Sequence, residues 1–226
     1  MEKIYSVAVD GPSGAGKSSL AKAIAAELHI LYVDTGAIYR TIGCYARRQG
    51  VDAADTKAVI ALLPQVKIEM RYDGQGLQHM LLHGEDVTQE IRLPEMSLYA
   101  SAVSAIPEVR SFLLEMQRDF ARRSSVIMDG RDIGTVVLPH ADVKIFLQAD
   151  VAVRARRREK ELQERGTPRP FEQVLAEMKE RDYNDTHRSA APLRAAEDAV
   201  TVDTSELDFQ QSKERLLEII REKVGL

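Results

Sequence analysis

The chain has 226 residues and carries 31 Lys plus Arg against 35 Asp plus Glu, a formal net charge of −4. That length fits one α/β domain with a small insert, and 44% apolar with 29% charged residues is the composition of a folded chain, not a disordered one. The acidic balance argues against a protein that coats nucleic acid, although 10 of its 21 Arg lie between Arg131 and Arg194.

Ile4 to Val9 is a short apolar run rich in β-branched residues, read as a strand that ends at Asp10-Gly11-Pro12. Leu20, Ile24 and Leu28 then fall four apart, which predicts a helix over Lys17 to Leu28. Ile30 to Val33 reads as a second strand, closed by Asp34-Thr35-Gly36. Helices are expected over Ala37 to Arg48 and Thr56 to Leu63, the second stopped by Pro64. Val66, Ile68, Met70 and Tyr72 alternate, Asp73-Gly74-Gln75-Gly76 supplies a turn, and Leu77 to Leu82 follows. This hairpin is expected as a β insert over 65–87, set into a core of 1–64 and 88–226.

Pro94 and Pro107 punctuate two helices. The second runs to Arg123 with Val109, Phe112, Leu113, Met116 and Phe120 on one face. Strands are expected at Ser125 to Met128, Val143 to Leu147 and Ala199 to Val202. Helices are expected at Val151 to Arg165, Phe171 to Asp185 and Gln210 to Val224. Strands alternating with helices predict a parallel sheet covered on both faces, an α/β fold.

Cys44 is the only cysteine, so neither an intrachain disulfide nor a cysteine metal cluster is expected. His79 and His83 approach zinc-site spacing without the rest of a ligand set, and read as exposed strand or loop residues. No signal peptide and no bilayer-length apolar run is evident, so the expectation is a cytoplasmic protein with no membrane partner. The absence of a long exposed apolar stripe favours a monomer.

Gly11-Pro12-Ser13-Gly14-Ala15-Gly16-Lys17-Ser18 matches G-x-x-x-x-G-K-[ST] between a β-branched strand and a helix. Glycines there let backbone N–H groups turn inward around phosphate, and the helix adds its positive end. Lys17 reaches the β- and γ-phosphates, and Ser18 places a hydroxyl on Mg²⁺. A nucleoside triphosphate and magnesium follow. The loop alone serves switches, motors and kinases alike. A guanine-reading Asn-Lys-x-Asp motif is absent, because Asn184, the only asparagine, precedes Asp185.

Two further loops follow strands, so both lie at the carboxyl edge of the sheet with the phosphate loop. They are Asp34-Thr35-Gly36-Ala37-Ile38-Tyr39-Arg40 and Gly130-Arg131-Asp132-Ile133-Gly134-Thr135-Val136-Val137. Each brings an arginine towards the triphosphate. These motifs, with Arg181-Asp182 and Arg188-Ser189-Ala190-Ala191-Pro192-Leu193 in the same order, resemble the bacterial cytidylate kinases over nearly the whole chain. Gly84-Glu85-Asp86-Val87 also resembles that family's nucleotide-binding insert.

The resemblance implies the P-loop nucleoside monophosphate kinase fold, and transfer of the γ-phosphoryl group of ATP to CMP or dCMP. ATP would lie on Gly11 to Ser18 and the adjoining Ser19. Arg40, Arg131 and Arg188 would hold the acceptor phosphate, beside Gly130 and Thr35, where family members often carry serine. Ser101, Arg110 and Asp132 would read cytosine, with Ser101 equally explained as a helix-packing serine. Arg181 and Asp185 would contact ribose and the neighbouring phosphate region. Cytosine offers an amine donor and two acceptors, so an Asp and an Arg or Ser complement it, whereas uracil turns a carbonyl towards the Asp.

Arg154, Arg157 and Arg158 share one helix face. They belong either to a solvated charged helix or, as the resemblance implies, to a lid at about 150–170 that closes over phosphates. Lys17, Arg40, Arg131, Arg157, Arg158 and Arg188 are then the expected catalytic set. Asp129, ending an apolar strand, either joins Ser18 at the magnesium ion or caps a neighbouring segment. The alternative class is a P-loop ATPase or switch without a small acceptor, and within the kinases an acceptor such as UMP.

Overall fold

The computed structural model describes residues 4–74 and 76–226. Gln75, in the expected turn of the insert, and the first three residues lie outside them. Five strands form the main sheet: β1 (Ser6–Asp10), β2 (Leu31–Asp34), β6 (Val126–Gly130), β7 (Val143–Gln148) and β8 (Val200–Asp203). Their order is β2-β6-β1-β7-β8, and every neighbouring pair is parallel. Register pairs Asp34 with Asp129, Asp10 with Gly130 and Gln148 with Asp203. The carboxyl ends of the strands are therefore level, and the loops that follow them share one edge.

β1 is apolar on both sides because both faces of the sheet are covered. Val7 and Val9 pack beneath α1 (Lys17–Leu28) and α8 (Phe209–Val224). Ala8 faces the core built from α2 (Thr35–Arg48), α4 (Met96–Ser104) and α5 (Pro107–Arg123). A Cβ on Gly43 would sit 2.7 Å from the Tyr99 Cβ, so the glycine is what lets α2 and α4 approach this closely.

Helix starts follow their caps. The Asp34 carboxylate accepts the Ala37 N–H at 2.8 Å, so α2 begins at Thr35, two residues before the periodicity predicts. Asp208 and Gln211 form a capping box that starts α8 at Phe209. On α5, Val109 and Leu113 are buried, and Met116 and Phe120 pack partly buried against the core. Phe112 corrects the expected face: it lies at the edge of the stripe and is 40% exposed.

The insert is a three-stranded antiparallel sheet, β3 (Ile68–Tyr72), β4 (Gln78–Leu82) and β5 (Glu85–Asp86), where the sequence pattern predicts two strands. The second turn is His83-Gly84, both with positive φ (53° and 86°), the backbone of a tight hairpin. Gln78 ties the insert to the sheet edge, accepting the Asp34 N–H at 2.8 Å. A short α3 (Thr56–Leu62) precedes the insert and a 3-10 turn (Glu90–Arg92) follows it.

After β6 comes a single π-helical turn, Ile133–Val137. The segment expected as a lid, about 150–170, spans α6 (Val151–Glu164) and the loop to α7 (Phe171–His187), and the two helices form a hairpin with a small core of Ala155, Leu162, Val174 and Met178. None of the described helices is long and apolar enough to cross a membrane.

Candidate active site

The level strand ends line a cleft of about 1270 Å³, bounded by the phosphate loop, α2, α4, the β6 loop and the α6–α7 hairpin. At its donor end, Gly11 has φ 148°, and a Cβ there would lie 2.0 Å from the Leu147 carbonyl oxygen, so no other residue fits. Gly16 caps α1 in the left-handed conformation without a side-chain partner for the helix N–H groups, and no acid stands in the first turn. Those amides face the loop as donors for an anion.

Lys17 is buried, and its ammonium donates to the Pro12 carbonyl at 2.6 Å. Burial, reinforced by Arg131, pushes its pKa well below the ordinary lysine value. An anion bound beside it would favour its charged form. The Ser18 hydroxyl donates to one Asp129 carboxylate oxygen at 2.7 Å, and the Tyr32 hydroxyl to the other at 2.8 Å. Burial, then the neighbouring Asp34, raises the Asp129 pKa. Ser18 and Asp129 are hard oxygen donors 2.7 Å apart. Among the described residues, no group of three His, Cys, Asp or Glu could hold a metal unaided. Two protein oxygens suit Mg²⁺, which keeps waters and phosphate oxygens as its other ligands.

The acceptor end is made of arginines held by carboxylates. Arg40 pairs with Asp34 at 2.9 Å. Arg131 donates through Nε to Asp185 at 2.7 Å. Arg110 pairs closely with one Asp132 oxygen, and Arg188 reaches the other at 3.5 Å. Burial alone would raise Asp185, but Arg131 and its neighbours hold it below the usual carboxylate range. Arg181 has no hydrogen bond or ion pair among the described residues, and its Nε is buried without a partner. Burial and Arg131 lower its pKa to about 10. An unpaired guanidinium under these conditions is a site for an anion.

The cleft brings together Ser13 to Ser19 and all ten expected acceptor residues. Ser101 lines it with its hydroxyl unbonded, while its carbonyl accepts from the Ser104 hydroxyl at 3.0 Å. The Thr35 hydroxyl donates to the Asp129 carbonyl at 2.7 Å, tying α2 to β6. Gly11 and Pro12 stand behind the cleft wall, and so does Arg154. The buried Arg154 donates to the carbonyls of Ala149 (2.8 Å) and Ser13 (2.9 Å) and to Asp182 (2.6 Å), lashing α6 and α7 to the phosphate loop. Arg157 donates to the Thr204 carbonyl at 2.6 Å and Arg158 to Glu161 at 2.7 Å.

A model of the cytidylate kinase family matches residues 7–222. The chain belongs to the cytidylate kinase family. It is 47% identical over 225 residues to the cytidylate kinase of Solibacter usitatus, covering 99% of this chain and 95% of that one. It is 45% identical over 219 residues to the cytidylate kinase of Caldicellulosiruptor bescii, covering 97% and 96%. Among solved structures, an uncharacterized protein from Eubacterium ventriosum shares the fold with a TM-score of 0.50 at 12% identity, covering 96% and 98%.

Within this family frame, three residues at the site escape a reading of motifs. Ser104 is buried, and it accepts Arg110 on its carbonyl (3.0 Å) and Arg188 on its hydroxyl (3.4 Å). The Arg110 guanidinium lies over the Tyr39 ring, 5.5 Å from its centroid. Asp10 accepts the N–H groups of Ile133 (2.8 Å) and Gly134 (2.7 Å), joining the phosphate-loop strand to the loop that carries Arg131. Burial raises its pKa to about 6. Asp10 was visible as a strand-ending acid, but nothing in its local sequence announces a partner more than a hundred residues away.

Proposed function

We propose that this chain transfers the γ-phosphoryl group of ATP to CMP or dCMP, giving ADP and CDP or dCDP. The observation that carries the reading is Asp132, buried at the acceptor end with Arg110 on one oxygen and Arg188 on the other. A carboxylate so held accepts from the cytosine amine, while Arg110 and the free Ser101 hydroxyl are donors for its two acceptors. UMP would turn a carbonyl to Asp132 and leave a buried acceptor unpaired.

Lys17, Ser13 to Ser19 and the α1 N-terminus would bind the triphosphate. Arg40, Arg131 and Arg188, with Arg181, would hold the acceptor phosphate. Ser18 and Asp129 would hold Mg²⁺, directly or through water, and the ion would neutralise charge on the transferring phosphate. The second pKa of a phosphate monoester is about 6, so the acceptor oxygen is already anionic at neutral pH and needs no general base. The barrier is the repulsion between two polyanions. Positioning and the converging cations Lys17, Arg131 and Arg181 lower it. Arg157 and Arg158 would give up the Thr204 carbonyl and Glu161 for phosphate oxygens as the hairpin closes, which excludes water. One chain supplies both ends of the cleft, so the reading needs no second subunit.

Incubation with Mg-ATP and a panel of nucleoside monophosphates tests this reading. It expects diphosphate formation from CMP and dCMP far above UMP, AMP and GMP. Equal use of UMP refutes the base-reading role of Asp132.

A further inference from the structure

Two hydroxyl groups hold the buried Asp129 carboxylate beside the phosphate loop. Ser18 donates to one oxygen at 2.7 Å, and Tyr32 donates to the other at 2.8 Å. The two donors are not equivalent. Ser18 belongs to the first turn of α1, and its oxygen also has to serve the metal. Tyr32 belongs to β2, on the far side of β6 from the phosphate-loop strand.

Register brings the phenol to that oxygen. Along β2 and β6, Tyr32 pairs with Ile127 and Asp34 with Asp129. Residues two apart in a strand share a face, so Tyr32 and Ile127 stand one row below Asp34 and Asp129. The Tyr32 ring packs, partly buried, against the core that holds Ile127. From that row a long side chain with a donor at its tip is needed to span the distance to the carboxylate.

The backbone on both sides of the contact is held. β2 is an edge strand, and the insert takes up its outward groups. The Tyr72 hydroxyl donates to the Tyr32 carbonyl at 2.9 Å. The Gln78 side chain accepts the Asp34 N–H at 2.8 Å and donates to the Asp34 carbonyl at 3.3 Å. On β6, the Asp129 carbonyl accepts the Thr35 hydroxyl at 2.7 Å. The freedom left to Asp129 is rotation of its carboxylate. Without the phenol, one buried carboxylate oxygen would lose its donor, and the group would turn to find another.

We propose that Tyr32 is a positioning residue for the metal: its hydroxyl fixes one Asp129 oxygen, so that the other stays turned to Ser18 and to the magnesium ion held there. This rests on the reading of Ser18 and Asp129 as the metal's protein ligands. Loss of a group that orients a metal ligand weakens metal binding by about 10- to 100-fold. Tyr32 acts through Asp129, so its contribution vanishes once Asp129 no longer serves the ion.

The test uses Mn²⁺ as a paramagnetic stand-in for Mg²⁺. Its affinity for the chain saturated with ADP is read by electron paramagnetic resonance in the wild type, Tyr32→Phe, Asp129→Asn and the double variant. Tyr32→Phe keeps the ring and removes only the hydroxyl. It should weaken Mn²⁺ about tenfold, leave metal-free ADP affinity unchanged, and add nothing to the loss in Asp129→Asn. Wild-type Mn²⁺ affinity in Tyr32→Phe overturns the proposal. So does a loss that adds in full to that of Asp129→Asn, or an equal loss of metal-free ADP binding, because Tyr32 would then support the sheet edge and not the carboxylate. Should Tyr32→Phe not fold, the Tyr32 Cζ resonance in a wild-type chain with labelled tyrosine carries the test. It should shift when Mg²⁺ joins the ADP complex, and a resonance that stays in place overturns the proposal. Unchanged Mn²⁺ affinity in Asp129→Asn refutes the metal reading itself, and this assignment with it.

Discussion

The two ends of the cleft are built on different principles. The proposed donor end is one unbroken segment, Gly11 to Ser19, which offers backbone amides, one lysine and one hydroxyl. The acceptor end gathers side chains from α2, the turn after the insert, α4, α5, the β6 loop and α7. Lys17 rests on a backbone carbonyl, while Arg40, Arg110, Arg131 and Arg188 rest on carboxylates. A local loop can bind any triphosphate. A pocket assembled from six segments can be shaped to one base, and its acids keep the arginines oriented before the anion arrives.

That contrast can be broken at either end. The largest expected effect is Lys17→Ala, which should lower kcat by about 10³-fold or more and raise the KM for ATP, with CMP binding intact. Arg131→Ala should cut turnover nearly as severely while leaving ATP affinity within about twofold, because its partner is Asp185 and not the phosphate loop. Steady-state kinetics with each substrate varied separates the two. If both variants damaged both substrates equally, the division into two ends would be wrong.

Asp132→Ala sharpens the comparison at the base. The ratio of kcat/KM for CMP over UMP should fall roughly 10- to 100-fold, as expected for a lost buried hydrogen bond to the base. Stability should fall too, since Arg110 and Arg188 would be left without a carboxylate. An effect of comparable size, on stability and not on turnover, belongs to Asp10, between the ends. Its carboxyl is raised from 3.8 to about 6, so its contribution to stability is fully present below about pH 4 and lost as the pH rises through 6. Asp10→Asn removes that dependence. Its deficit relative to wild type should shrink between pH 4 and 7 by roughly 2 kcal/mol, measured by denaturant unfolding. The smallest effect serves as a control: Arg123→Ala, 77% exposed and paired with Asp119 on α5, should change neither KM nor melting temperature.

Legibility in the sequence follows the same division. The phosphate loop could be read because its chemistry is contiguous and its flanks are a strand and a helix. The parallel sheet could be read because each strand is a short apolar run between helical periods. Tyr32 was invisible, because one tyrosine in a short apolar run carries no pattern and its meaning comes from Asp129, far away in sequence. Ser104 was missed for the same reason, being one more small residue on α4. The third strand of the insert was missed because its turn is His83-Gly84, not the usual Asn-Gly pair, and the strand has two residues. Arg154 shares a helix face with Arg157 and Arg158, yet only packing reveals that it faces the Ser13 carbonyl.

The central claim is that the two ends work on one phosphoryl group. γ-Labelled ATP incubated with the chain and Mg²⁺, with and without CMP, tests this most directly. The account predicts label in CDP when CMP is present and little released phosphate when it is absent. Phosphate release at the same rate with and without CMP, with no label in CDP, would contradict it.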